Sequence, residues 1–138
     1  MRSIRTLVAV VAATALLAVV IPTVSAGSAR EFHLDKTCAE DLSEPLGYVC
    51  TVQHSDFKWM PPGTEVHYLS QAGNVVQAAI AIRNGSTAGA CVWSTDVNAI
   101  CTFHPGGGRL AQFHLRVDVT ANADQSIWYW DGTYWFGG

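Results

Sequence analysis

From Val75 onward the chain alternates. In Leu110–Ala121, Phe113, Leu115, Val117 and Val119 fall on one side of an extended backbone, while Gln112, His114, Arg116, Asp118 and Thr120 fall on the other. Val76, Ala78, Ile80 and Ile82 repeat the pattern in Val75–Arg83, leaving Ala79 and Ala81 on a bare second face that a strand, loop or further chain would cover. Nothing after residue 26 sustains a three-to-four spacing over three turns. Strands are predicted at Glu31–Leu34, Tyr48–His54, Glu65–Ser70, Val75–Arg83, Gly89–Ser94, Ala99–His104, Leu110–Ala121 and Ser126–Phe136, the last broken at Asp131-Gly132. Pro61-Pro62-Gly63, Gly73-Asn74, Thr95–Asn98, Asn84-Gly85-Ser86 and Gly106-Gly107-Gly108 supply the turns between them. The acidic stretch Cys38–Leu46 is predicted to be a loop or a single helical turn. Short strands with short links define an antiparallel all-β fold, either a barrel or a sandwich.

The first 26 residues follow another rule. Arg2 and Arg5 precede an apolar run, Leu7–Ile21, of about fifteen residues, short of the ~20 that span a bilayer. Small residues follow at Val24-Ser25-Ala26. This is the pattern of a secretory signal peptide, residues 1–26, cleaved after Ala26, and it predicts a secreted product with no membrane anchor. No cysteine stands at the cleavage point for lipidation. Residues 27–138 leave room for one domain and one core. Without Arg2 and Arg5, six of the eight Lys and Arg remain against eleven Asp and Glu, a formal charge of −5. Such a balance argues against nucleic acid or an anionic surface as partner.

All four cysteines lie in the exported part, where the compartment is oxidising. Three pairings are open to them. The simplest joins neighbours, Cys38 with Cys50 and Cys91 with Cys101, the second bridging two adjacent strands around Thr95–Asn98. Spacings this wide, with no histidine beside them, do not make a zinc site.

Candidate chemistry is sparse. His114, Arg116 and Asp118 share one face of one strand, an arrangement that serves either an acid–base pair or an ordinary solvated wall. The histidines His54, His67 and His104 are the nearest approach to a metal set, but they sit on different strands in no ligand spacing, so no metal or cofactor is expected. Trp128 and Trp130 share one face of the aromatic C-terminal strand, with Ile127 and Tyr129 on the other, and either face would stack on a planar ligand or fill the core. Trp59, before Pro61-Pro62, is placed to close one end of a barrel.

The run from Cys101 through Phe103, Pro105 and Gly106-Gly107-Gly108 into the strand after Leu110 resembles the glycine-rich hairpin of the allene oxide cyclase and dirigent barrel superfamily. The order of elements from Val75 to Ala121 and the closing Asp131–Phe136 are similar to small secreted actinobacterial proteins with such a barrel-like domain. Pro105 and Gln112 depart from the expected pattern. The resemblance implies a closed barrel of about eight strands, an apolar lumen and a homo-oligomer through the barrel wall. In that superfamily cyclases mould an apolar substrate by confinement and dirigent proteins hold phenolic radicals. None of their polar site residues maps onto this chain.

Two functions follow as expectations. One is an exported barrel that binds a small hydrophobic or aromatic molecule, or a protein partner, through Trp59, Phe113, Leu115, Val117, Trp128 and Trp130. The other is a cofactor-free cyclase or isomerase acting by confinement. An enzyme would need a polar side chain inside an otherwise apolar, open cavity; a lumen filled by side chains would leave only a surface role.

Overall fold

The computed structural model describes residues 27–137, so the expected signal segment lies outside the described residues. Eight antiparallel strands pair in chain order and close into a barrel: β1 (Arg30–Glu40), β2 (Tyr48–Ser55), β3 (Glu65–Ala72), β4 (Val75–Ile82), β5 (Gly85–Trp93), β6 (Ala99–Gly108), β7 (Phe113–Ala121) and β8 (Trp128–Phe136). Closure comes from β1 pairing with β8 along Arg30–Lys36 and Trp128–Tyr134. That pairing leaves no free sheet edge.

Period-two alternation places the core as expected. Phe113, Leu115, Val117 and Val119 are buried in the lumen from β7, and Val76, Ala78 and Ile80 from β4. Phe32, Leu34, Val52, Phe103 and Trp130 complete a lumen packed with side chains, each large member contributing about 1.5–3 kcal/mol by leaving water. Both disulfides form between directly opposed residues, Cys38 with Cys50 across β1 and β2, and Cys91 with Cys101 across β5 and β6. Loops this short make each worth about 2–3 kcal/mol, largely by restricting the unfolded chain.

Several boundaries differ from the sequence expectation. β1 does not stop at Leu34 but runs to Glu40, because Asp35–Glu40 pair with Tyr48–His54; only Asp41–Gly47 of the expected tether is a turn. The triple glycine belongs to β6, where Gly107 and Gly108 pair with Ser86 and Gly85, so the turn falls at Arg109–Gln112 and β7 starts at Phe113 instead of Leu110. Gly108 alone of the three has positive φ, at 60°, and a side chain there would strike the Asn84 carbonyl. β5 likewise begins early, at Gly85. β8 passes through Asp131-Gly132 without a break: Gly132 pairs with Val117, and its missing side chain lets the Arg116 carbonyl approach.

Strand direction gives the barrel two different ends. One carries the β2–β3, β4–β5 and β6–β7 links; the other carries Asp41–Gly47, Gly73-Asn74, Ser94–Asn98 and Asn122–Ile127.

Candidate functional site

The first end is plugged. In the β2–β3 link Phe57 turns into the lumen and stacks on Phe113, ring centroids 5.4 Å apart, with Tyr134 at 4.7 Å and Phe32 at 5.7 Å. Met60 and Leu110 are fully buried beside it. Trp59 packs edge-on against Phe57 and Phe136, and Lys58 and Arg109 lie over its ring. Trp59 therefore does cover one barrel end, although Phe57, which the sequence did not single out, is the residue that fills it.

The second end is open. A cavity of about 450 Å³ enters the barrel there, lined among others by Lys36, Tyr48, Tyr68, Trp93 and Trp128 and by the Cys38–Cys50 disulfide. Tyr48 and Tyr68 form one wall, centroids 5.1 Å apart, and Trp93 and Trp128 form another, edge-on at 5.7 Å. Thr95, Asp96, Gln71 and Gln125 make a polar rim. This volume lies inside the range of small-molecule sites, about 300–1,000 Å³.

Lys36 is the unexpected group. It lies 2 % exposed at the inner end of this cavity, and its Nζ donates to the Tyr68 hydroxyl at 3.0 Å. The rings of Trp130, Tyr68 and Trp128 surround it at 5.1, 5.5 and 5.9 Å. Among the described residues no carboxylate lies within ion-pair distance of it; every such pair there involves a histidine. Burial lowers its pKa from 10.5 to about 7. Burial, and next the neighbouring Tyr48, hold the Tyr68 phenol well above its ordinary value, so it stays protonated.

Plain alternation aims this pair inward, Lys36 following Phe32 and Leu34 on β1 and Tyr68 following Val66 on β3. The β1–β2 register shifts between Asp35 and Lys36, and the β3–β4 register between Tyr68 and Ser70. The extra residues, Gln53 on β2 and Leu69 on β3, are exposed, and a bulge of this kind bends its strand beside the pair. The β2–β3 ladder is short, Val49–Thr51 against Glu65–His67, so the sheet parts above it toward the open end.

Of the six ligand-binding candidates, only Trp128 lines the open cavity. Phe113, Leu115, Val117 and Trp130 are at most 1 % exposed and fill the lumen, while Trp59 sits at the opposite end. Trp130 still reaches the site from below through its ring over Lys36, and its own Nε1 is buried without a hydrogen-bond partner. The sequence reading missed Lys36 because it ended the first strand at Leu34. Yet Phe32, Leu34, Lys36 and Cys38 share one period-two phase, and that phase was the available signal.

The other candidates lie apart from the cavity. His114 faces outward, stacks on Trp135 at 5.0 Å and donates from Nε2 to the Gly137 carbonyl at 2.8 Å. No hydrogen bond joins it to Arg116 or Asp118, which stand exposed on the wall. His54 pairs with Asp35, His67 with Glu44 and Glu65, and His104 stands exposed on β6. Among the described residues no three His, Cys, Asp or Glu side chains gather as metal ligands.

Charge separates the two ends. Arg30, Lys58, Arg83 and Arg109, four of the six Lys and Arg after residue 26, line grooves at the plugged end. The links of the open end carry Asp41, Glu44, Asp96 and Asp124 and no Lys or Arg. Ser43 and Ser126 donate from hydroxyl and backbone N–H to Asp41 and Asp124, holding both carboxyls below their usual range and hence charged.

No protein-family model, curated protein or solved structure matches this chain. Fold and site define a small disulfide-bonded β-barrel with one plugged basic end and one open, aromatic, acid-rimmed end. No helix among the described residues is long and apolar enough to cross a membrane.

Proposed function

We propose that this protein is an exported barrel that binds a small, neutral, largely aromatic or apolar molecule in its open end. The single observation that carries this reading is the cavity of about 450 Å³ walled by Tyr48, Tyr68, Trp93 and Trp128 in a barrel whose lumen is otherwise filled. Aromatic walls supply apolar contact and stacking, and the polar rim fixes orientation. The acidic links disfavour anions at the entrance. Two disulfides and the signal-like segment at residues 1–26 support export into an oxidising compartment.

A second reading is a cofactor-free isomerase or cyclase of the kind the resemblance to allene oxide cyclase barrels implies. What favours it is Lys36 with Tyr68, a polar pair at the inner end of an otherwise aromatic cavity. Binding comes first in both readings. Titration with naphthylmethanol, followed by quenching of tryptophan fluorescence, tests it: saturable one-to-one binding is expected, weakened on the order of tenfold by Trp128→Ala. Absence of saturable binding, or equal affinity in the variant, would overturn the assignment to the open end.

A further inference from the structure

We propose that Lys36 is a covalent capture residue, whose ε-amine condenses with the aldehyde or ketone of a neutral aromatic ligand seated in the open cavity. This rests on the binding reading above and names the ligand's reactive group.

Three observations carry it. First, Lys36 is buried without a carboxylate in reach, and its polar neighbours are the Tyr68 hydroxyl at 3.0 Å and Cys38 Sγ at 4.0 Å. A lysine kept for structure would be paired, because an unpaired buried ammonium costs stability that an apolar side chain of similar length would not. Second, the amine is at the inner end of a cavity large enough for a ligand, not sealed in the packed lumen. Third, the entrance is acidic and carries no cation, which weighs against Lys36 serving as counter-ion to a carboxylate ligand and for a neutral electrophile. Facing the amine are Tyr68 from β3, Tyr48 from β2 and the rings of Trp128 and Trp130 from β8, with Asp96 at the rim. Desolvation by these groups keeps much of the amine unprotonated at neutral pH, the state that has a lone pair to give.

The step balances without an oxidant or reductant. The Nζ lone pair attacks the carbonyl carbon, the C=O π pair moves to oxygen, and a proton passes from nitrogen to that oxygen to give a carbinolamine. The second amine proton then passes to the hydroxyl, the C–O bond breaks with its electron pair on oxygen, the nitrogen lone pair forms the C=N bond, and the oxygen leaves as water. Tyr68, protonated and one hydrogen bond from Nζ, is placed to relay the proton.

The chain offers its own control, since Lys36 and Lys58 are its two lysines and Lys58 is exposed at the plugged end. Purified protein with its disulfides intact is incubated with naphthaldehyde and cyanoborohydride near neutral pH, then mapped by peptide mass spectrometry. Modification of Lys36 is expected to exceed that of Lys58 on the order of tenfold or more, and Lys36→Arg should abolish it. Should Lys36→Arg fail to fold, the ratio of Lys36 to Lys58 in the unmodified sequence decides alone. Binding of the alcohol with Lys36 modified no faster than Lys58 overturns the capture and leaves the binding reading standing. Neither binding nor modification overturns both.

Discussion

The two ends of this barrel are made from the same strands and solve opposite problems. At the plugged end a long link folds Phe57 back among Phe32, Phe113 and Tyr134, and the aromatic side chains exclude solvent. At the open end the links are short and polar, the β2–β3 ladder gives out early, and the aromatic residues stand as walls around space. Aromatic content therefore does not distinguish core from site here. What distinguishes them is whether a link returns to fill the end, and whether a polar group has been brought inside. Only the open end has Lys36.

The contrast yields predictions of decreasing size. Phe57→Ala should cost about 3–5 kcal/mol, read as a fall in urea midpoint, because a ring packed on four others leaves a cavity that cannot collapse. The same truncation at Trp128 should lower stability far less and act mainly on ligand affinity. Comparable stability losses at the two positions would erase the distinction between plug and wall.

The next effect is a dependence on pH. The folded Lys36 ammonium loses its proton at about 7, against 10.5 for the unfolded chain, so between those values the unfolded state binds a proton that the folded state does not. Stability should therefore rise with pH across that window, by at most about 5 kcal/mol. Above pH 10 the sign reverses, because burial raises the pKa of Tyr48 and Tyr68 and the folded state then retains protons that the unfolded state has lost. Lys36→Met should be the more stable protein near neutrality and should lack the rise. A flat profile from the unmodified protein would contradict the burial assigned to this amine.

Smaller again is the loss of one disulfide. Replacing Cys38 and Cys50 together by Ala should cost about 2–3 kcal/mol and weaken ligand binding, since that bridge lines the cavity. Replacing Cys91 and Cys101 should cost a similar amount of stability and leave affinity closer to its original value, as neither residue lines the cavity. Smallest is Arg116→Ala on the outer wall, expected within about 0.5 kcal/mol and without effect on binding. A large change there would restore a role to the outward His114, Arg116 and Asp118 face.

Much of the fold was legible in the chain because a half-buried strand writes its two faces into alternate residues. Phe113–Val119 and Val76–Ile80 announce their inner sides plainly, although a sandwich would alternate in the same way. Boundaries were harder. Gly106–Gly108 reads as a turn, yet its glycines serve close strand approach as well as positive φ, and Asp131-Gly132 looks like a break for the same reason. The site was least legible. Its central group is a lone lysine in a polar stretch, where Asp35 and Lys36 together mimic an exposed loop, and the continuation of β1 beyond Leu34 depends on pairing with β2, which leaves no mark in composition. Phe57 was hidden in the same way, since nothing local says that a link will fold back into the lumen.

The Gly27 N–H donates to the Phe136 carbonyl at 2.8 Å, so both extremities of the described chain emerge together at the stoppered base. A reporter, bead or carrier joined through either extremity would hang from that base and hold the aperture facing outward, unobstructed, as a cup is held by its foot.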